Sequence, residues 1–320
     1  MGSPRVLVDA PPFPIDVVRA LLEPSGATVD PATKPWRGDD VAGLLVWSPV
    51  SEAEMKALPG LRVIATCSVG FDHIDVAAAA RRGVWVCNVP DYCIDEMADS
   101  TIALVLALLR GVVALDRTVR EGTWDDHLAG PLLRLQGARL GVIGFGRIGR
   151  AVAQRAIALG MEVWAADAVV APRVMSAAGV KPAEVDELLR SCQAVTLHVP
   201  LTRETSGMIG RRELSLMPQG AFLVNTARYA LVDESALLEA LESGALGGAA
   251  LDVLPVGPPT ASRPAPRHPR LIVTPHSAWY SLDSEREVYR RSTLAVLAVL
   301  DGREPDGAVV RGRASTPSVG

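Results

Sequence analysis

Cysteine is scarce in this chain, and the few cysteines are scattered. The 320 residues include four, with no Cys-x-x-Cys pair and no histidine cluster beside them. Neither a disulfide framework nor a zinc site is therefore expected. We predict buried thiols at Cys67, Cys87, Cys93 and Cys192.

The chain also lacks an excess of positive charge and a long apolar run. Its formal net charge is −4, so it has no basic field of the kind that nucleic-acid binding uses. The longest apolar stretch, residues 102–109, is too short to span a bilayer, and the N-terminus has no basic segment followed by an apolar one. We expect a cytoplasmic protein with no metal, nucleic-acid or membrane partner.

Short apolar runs alternate with Ala-rich or polar segments, which indicates βα units and parallel sheets. The first series of predicted strands ends before a long helical pattern, and a second series begins at Arg139. Six strands in the second series suit one doubly wound sheet. The predicted strands are residues 6–8, 44–47, 63–66 and 84–89, then 140–143, 163–166, 194–199, 221–226, 249–253 and 271–274.

A long helix is predicted over residues 94–120, with acids in its first turn and arginines in its last. Its centre is apolar on every side, which favours burial between domains or against a second subunit. We therefore expect a homodimer. A helical pattern at residues 284–300 is predicted to return to the first domain, while residues 255–269 and 301–320 are expected to be loop and loose end. The predicted domains are 1–98 plus 283–320, and 99–282.

A glycine-rich loop follows the apolar run at residues 139–143 and opens a helical stretch. Its first glycine allows a tight turn, its second lets the backbone approach a pyrophosphate, and its third lets the helix pack on the strand. Asp167 ends the next apolar run, where its carboxylate can bind a ribose and repel a 2′-phosphate. NAD is therefore favoured over NADP. The residues that this pattern assigns to the cofactor are Gly144, Gly146, Arg147, Ile148, Gly149 and Asp167.

Several ordered segments resemble the D-isomer-specific 2-hydroxyacid dehydrogenases, in the branch that looks like C-terminal-binding protein and D-3-phosphoglycerate dehydrogenase. They cover nearly the whole chain, so chance similarity is improbable. The family implies two Rossmann-like α/β domains, of which the substrate domain is discontinuous. The segments are residues 68–75, 88–93, 98–101, 144–149, 219–228, 251–253 and 274–280.

The resemblance also implies roles for single residues. Arg228 matches the family's arginine that holds a substrate carboxylate or keto oxygen, and a guanidinium can do this with paired donors. His276 matches the histidine that exchanges a proton with the substrate oxygen. The backbone N–H groups of Val69 and Gly70 match the loop that binds the carboxylate. Further cofactor contacts are implied for Thr101, Pro200, Thr226 and Asp252, the last beside the nicotinamide carboxamide.

Two positions depart from the family pattern. Gly257 occupies the place of a Glu that would hydrogen-bond the catalytic His, and no Asp or Glu occurs from Val253 to Pro275. A carboxylate beside an imidazole orients the ring and raises its pKa, so His276 is expected to be less basic and less firmly held. Tyr229 follows Arg228 where the family usually has a small residue. It is a candidate to contact the substrate, although a packed or surface role is the alternative.

These features predict an NAD-dependent oxidoreductase that interconverts a D-2-hydroxy acid, or a related small anionic alcohol, with its oxo form. The alternative is an NAD(H)-binding regulatory or scaffold protein with little or no dehydrogenase activity, to which Gly257 gives weight.

Overall fold

The computed structural model describes residues 3–9, 14–130, 132–255, 260 and 265–313. The chain forms two compact units, one of residues 1–92 and 281–320 and the other of residues 93–280. The chain passes from one unit to the other at 92/93 and at 280/281, a few residues before the predicted domain boundaries at 98/99 and 282/283. In chain order, the helices are α1 (Ile15–Leu22), α2 (Glu52–Lys56), α3 (Val76–Arg82), α4 (Ile94–Leu109), α5 (Val112–Arg120), α6 (Arg147–Ala158), α7 (Pro172–Ala177), α8 (Val185–Ser191), α9 (Arg211–Leu216), α10 (Glu234–Glu242) and α11 (Leu282–Leu300). The strands are β1 (Arg5–Asp9), β2 (Thr28–Ala32), β3 (Val41–Val46), β4 (Val63–Thr66), β5 (Trp85–Cys87), β6 (Arg139–Ile143), β7 (Glu162–Ala166), β8 (Lys181–Pro182), β9 (Ala194–Leu197), β10 (Ala221–Asn225), β11 (Leu246–Leu251), β12 (Leu271–Val273) and β13 (Ala308–Val310).

The first unit has a doubly wound sheet with the strand order β13-β5-β4-β3-β1-β2. Strands β1 to β5 pair in parallel, and β13 joins β5 antiparallel. The strand order reverses between β1 and β3, as in flavodoxin-like sheets. Helix α11 returns to this unit as expected and packs on β3 and β4 through buried residues that include Val288 and Val296.

The second unit has a parallel sheet with the order β12-β11-β10-β9-β6-β7-β8. Its central strands are buried on both faces, because apolar side chains pack against helices on each side. The order reverses between β6 and β9, which is where sheets of this kind bind ligands at the carboxyl ends of the strands. Both units are Rossmann-like, so the predicted fold class is confirmed.

The structure corrects two expectations about secondary structure. The single helix expected over residues 94–120 is two helices, because Gly111 adopts a left-handed conformation with φ of +61° between α4 and α5. The tail expected to be a loose end forms β13, since its Ala308 and Val310 pair with β5.

All four cysteines are buried, as predicted. Burial raises the pKa of Cys67, Cys87 and Cys192 to about 12, so these thiols stay protonated at neutral pH. In the described part of the chain, no individual helix has the length and apolarity needed to cross a membrane, although the bent pair α4 and α5 passes that test together.

Candidate active site

The three glycines of the loop after β6 have three different surroundings. Gly144 has φ of +97°, and a Cβ there would lie 2.6 Å from the carbonyl carbon of His198. A Cβ on Gly149 would lie 2.0 Å from the Gly144 oxygen. A Cβ on Gly146 would meet nothing within 4 Å. The space beside Gly146, at the start of α6, is therefore open to a pyrophosphate, and the loop fits the dinucleotide that the sequence predicts.

Asp167, directly after β7, binds the backbone of this glycine loop. Its carboxylate accepts hydrogen bonds from the backbone N–H groups of Phe145 at 2.7 Å, Val169 at 2.7 Å and Val170 at 2.8 Å. Partial burial would raise the pKa of Asp167, but these three bonds and the charge of Arg150 together lower it below its ordinary value. Asp167 is therefore ionised at neutral pH. A carboxylate has about four acceptor positions, so one more is left for a ribose hydroxyl.

The other predicted cofactor residues of this edge differ in exposure. Arg147 is exposed at the first position of α6, and Ile148 is half-buried behind it. Pro200 is exposed after β9, and its carbonyl accepts a hydrogen bond from the Thr205 hydroxyl at 2.7 Å. All three lie near the point where the strand order reverses.

His198 supports the glycine loop, a role that the sequence did not indicate. Its backbone N–H donates to Ile143 O at 2.7 Å, and its ring lies 3.0 Å from the Thr196 hydroxyl. Burial lowers the pKa of His198 to about 4 from an ordinary value of 6.5. The folded protein therefore keeps this ring neutral.

The low pKa of His198 predicts a pH dependence of stability. Between pH 6.5 and pH 4 the unfolded chain takes up a proton that the folded chain does not, so stability is lost as the pH falls. At 1.36 kcal/mol per pKa unit, the free energy of unfolding should fall by up to about 3 kcal/mol from this group. Urea denaturation at pH values from 4 to 7 measures this change in the free energy of unfolding. The His198→Asn variant should lack this part of the slope, whereas His127→Asn, at a side chain that is 93% exposed, should keep it. Equal slopes in the wild type and His198→Asn would refute this prediction.

Asn225, the last residue of β10, shapes the turn that carries Arg228. Its buried amide donates to Arg228 O at 2.7 Å and accepts from the Ala227 N–H at 3.0 Å. The half-buried Arg228 donates from one guanidinium nitrogen to Ala227 O at 2.8 Å. The sequence alone did not indicate a role for Asn225, although it is a polar residue at the end of a buried strand within the matching segment.

The Tyr229 hydroxyl donates a hydrogen bond to the Glu234 carboxylate. Burial raises the pKa of Tyr229, and Glu234 raises it further. The ring is half-buried and its hydroxyl stays protonated at neutral pH. Its single proton is given to Glu234, so contact with a substrate is left to the ring or to the oxygen lone pairs.

Asp252, one residue beyond the end of β11, organises the loop that carries His276. The carboxylate accepts from the Thr274 hydroxyl at 2.5 Å, from the Ser277 N–H at 2.9 Å and from the Ala278 N–H at 2.9 Å. Between these anchors, His276 has φ of 56°, and it is the only non-glycine residue with positive φ in the described ranges. This conformation costs an L-residue about 1–2 kcal/mol, so the loop must be held in place. Asp252 is only 1% exposed. Its carboxylate is thus directed at the loop, and the contact with the nicotinamide carboxamide stays a prediction.

Thr101 and Thr226 form a buried pair between α4 and the end of β10. Their hydroxyl oxygens lie 3.0 Å apart, and Thr101 donates to Met97 O at 2.7 Å. Thr101 is 0% exposed, so its hydroxyl packs these elements together. The cofactor contacts expected of Thr101 and Thr226 stay predictions.

Val69 and Gly70 lie in the other unit, in the loop after β4, and both are half-buried. Gly257 lies outside the described residues. In the described segment before β12, Arg270 donates to Leu241 O and His268 lies 3.4 Å from the Glu242 carboxylate. These contacts favour a structural role for the two basic side chains.

Comparison with known proteins independently supports the family resemblance noted in the sequence. Residues 102–278 match the family model described as D-isomer specific 2-hydroxyacid dehydrogenase, NAD binding domain. A glyoxylate reductase of Thermofilum pendens is 34% identical over 286 residues, covering 85% of this chain and 82% of that protein. A glycerate dehydrogenase of Methylorubrum extorquens is 38% identical over 243 residues, covering 74% and 75% of the two chains.

The crystal structure of D-lactate dehydrogenase from Aquifex aeolicus, complexed with NAD and lactic acid, superposes with a TM-score of 0.83. It is 28% identical, and the match covers 93% of this chain and 96% of that one. The glycine loop, Asp167 and the two loops that follow β10 and β11 all lie in the second unit, within or beside the matched region. The chain belongs to the D-isomer specific 2-hydroxyacid dehydrogenases, a family of NAD-binding oxidoreductases.

Proposed function

We propose that the protein is an NAD-dependent oxidoreductase that interconverts a small D-2-hydroxy acid and its 2-oxo acid. The observation that carries this proposal is the arrangement of three neighbouring strand ends. Strands β10, β11 and β12 pair in parallel in this order. The Asp252 N–H donates to Asn225 O, and the Thr274 N–H donates to Leu251 O, both at 3.0 Å. The loops of Arg228, after β10, and His276, after β12, therefore begin one strand apart on the same sheet edge as the glycine loop.

In the reducing direction, the Arg228 guanidinium binds and polarises the substrate through its carboxylate or keto oxygen. His276, as an imidazolium, donates a proton to that oxygen as it gains negative charge. The backbone N–H groups of Val69 and Gly70 bind the carboxylate. When bound, NADH supplies the hydride. In the oxidising direction the neutral imidazole accepts the hydroxyl proton.

Asp252 acts in this proposal as a positioning residue. A misplacement of about 1 Å at a reacting group can cost roughly hundredfold in rate. The three bonds that Asp252 accepts on both sides of His276 restrain the loop against such a shift. This restraint supplies part of the rigidity that a carboxylate partner at position 257 would otherwise give.

The substrate is proposed to be a short anionic acid. The two relatives named for glyoxylate and glycerate act on acids with two or three carbons. Tyr229 supports the same size limit, because its ring follows Arg228 directly and is fixed by Glu234.

Gly257 supports a reduced basicity of His276, and restoring the carboxylate tests this. In the Gly257→Glu variant the carboxylate should raise the pKa of His276 by favouring its charged form. Because reduction needs the imidazolium, kcat for glyoxylate or hydroxypyruvate should rise by about tenfold, and activity should extend to higher pH. Steady-state NADH oxidation at pH 6 to 9 measures both. Gly257→Gln is the matched control, since it has the same length without the charge. An unchanged rate and pH profile in Gly257→Glu would contradict the reduced basicity proposed for His276.

The alternative function is an NAD(H)-binding regulatory or scaffold protein, which the glycine at position 257 favours. It predicts tight NADH binding with no turnover in either the wild type or Gly257→Glu.

We also propose a homodimer. Helix α5 has no buried residue. Exposed apolar side chains occur both on this helix and in the segment that follows it. Val112 is 57%, Val119 48%, Trp124 90% and Leu128 50% exposed. Such a surface is typical of an interface. Light scattering at micromolar concentration should give twice the chain mass of 33.8 kDa. Trp124→Asp should weaken the dimer, whereas Val169→Asp, at a 91% exposed site elsewhere, should not. A monomeric mass for the wild type would exclude the dimer.

A further inference from the structure

The loop after β4 has an unusual pattern of hydrogen bonds along its backbone. Three successive carbonyls in it are bound. Ser68 O accepts from the Val89 N–H at 3.1 Å, and Val69 O accepts from the Asn88 side-chain amide at 2.6 Å. Gly70 O accepts from the Ser68 hydroxyl at 2.6 Å.

These carbonyls determine where the N–H groups point. In a planar trans peptide the C=O and the N–H point in opposite directions. The carbonyls of Ser68 and Val69 both point to residues 88–89, so the next two N–H groups, of Val69 and Gly70, point together to the other side. The Gly70 carbonyl is turned to Ser68, which turns the Phe71 N–H away from it. None of these three N–H groups has a partner among the residues that the structure describes. Successive N–H groups on one side form a concavity that binds anions.

The orientation of Ser68 is itself fixed by a directed chain of bonds. Thr66 Oγ1 lies 2.7 Å from Ser68 Oγ and 3.1 Å from His73 Nε2. Because the Ser68 proton is given to Gly70 O, Ser68 accepts from Thr66, and Thr66 in turn accepts from the His73 Nε2–H. Thr66 is fully buried. Bonds that run in one direction through a buried group strengthen one another.

We propose that Asn88 and Ser68 are positioning residues that aim the backbone N–H groups of Val69, Gly70 and Phe71 at the carboxylate of the substrate. This inference rests on the proposed function, because it concerns the same substrate. It assigns substrate affinity to two side chains that do not touch the substrate. It also predicts that removing either one affects KM and leaves proton transfer intact.

The experiment compares Asn88→Ala and Ser68→Ala with a matched control, Ser25→Ala. Ser25 also donates its hydroxyl to a backbone carbonyl, Leu22 O at 2.6 Å, but away from this loop. Steady-state kinetics with glyoxylate give kcat and KM. Titration of the protein–NADH complex with oxamate, an unreactive 2-oxo acid analogue, gives carboxylate affinity without turnover. NADH affinity is measured separately by fluorescence.

We expect KM for glyoxylate and Kd for oxamate to rise by roughly tenfold in Asn88→Ala and Ser68→Ala, since bonds to charged groups are worth that much or more. The kcat, its pH profile and NADH affinity should stay as in the wild type, and Ser25→Ala should change nothing. If Asn88→Ala does not fold, Ser68→Ala decides. Unchanged KM and oxamate Kd, or a loss confined to kcat, would overturn the inference while leaving the proposed function in place. A wild type that neither reduces 2-oxo acids nor binds oxamate would overturn both.

Discussion

Replacing Gly146 by alanine is expected to leave the protein folded and to weaken NADH binding by roughly tenfold to hundredfold. Gly146 has φ of −72°, which any L-residue adopts, and a Cβ there meets no protein atom within 4 Å. The added methyl group would occupy the open space into which the pyrophosphate is proposed to fit. Overfilling a close contact costs about 1–3 kcal/mol, which gives this range in Kd. Fluorescence titration with NADH and thermal unfolding measure the two quantities.

Gly210 offers a matched control for this substitution. It also precedes the first turn of a helix, α9, in extended backbone, and the nearest atom to its Cβ is the flexible Glu213 carboxylate at 3.4 Å. Gly210→Ala should therefore keep both NADH binding and stability. Gly149→Ala should instead destabilise the fold, because its Cβ would lie 2.0 Å from a backbone oxygen. Wild-type NADH affinity in Gly146→Ala would show that the cofactor does not approach this loop.

The second large effect is expected for Asp252→Asn. In the wild type, each oxygen of the Asp252 carboxylate accepts a hydrogen bond from a backbone N–H group. The asparagine amide has an NH₂ group in place of one oxygen, so one of these buried N–H groups loses its acceptor. Stability should fall by about 1–3 kcal/mol, and kcat should fall by about hundredfold as His276 loses its position. NADH affinity should be unchanged, because the carboxylate is buried against the loop. Denaturation, kinetics and NADH titration test the three parts.

Asp233→Asn is the control for the loss of charge. Asp233 accepts the Ala236 N–H at 3.0 Å as the N-cap of α10, a role that asparagine also fills well. The Asp233→Asn variant should therefore keep the activity and the stability of the wild type. A loss of NADH affinity in Asp252→Asn with unchanged kcat would contradict the positioning role. It would favour the direct nicotinamide contact that the family resemblance implies.

Much of the fold was predictable because its strands are short, apolar and buried on both faces. The runs ending at Thr66, Ile143 and Ala166 stand out between polar segments for this reason. Strand β2 was missed because it lies at the sheet edge, contains Pro31 and has no apolar run. Strand β13 was missed because its pairing with β5 joins residues distant in sequence. The break at Gly111 has no signal in hydrophobic periodicity, which continues through it.

The glycine loop of the site was also predictable, since its chemistry lies in adjacent residues. The supports of the reactive side chains were not. Asn225 and Asp252 act through turns that only the folded chain creates, and the left-handed backbone of His276 follows from bonds across a span of 26 residues. The network from His73 to Gly70 likewise depends on the direction of each hydroxyl.

We propose above that His276 transfers the proton in an NAD-dependent reduction of a 2-oxo acid. The most direct test is NADH consumption by the purified protein against a panel of 2-oxo acids, including phosphorylated and phosphonate analogues. We predict turnover of at least one short 2-oxo acid, and a fall of about 10²- to 10⁴-fold in kcat in His276→Ala with NADH binding retained. A silent panel despite tight NADH binding, or turnover that His276→Ala leaves unchanged, would contradict the claim.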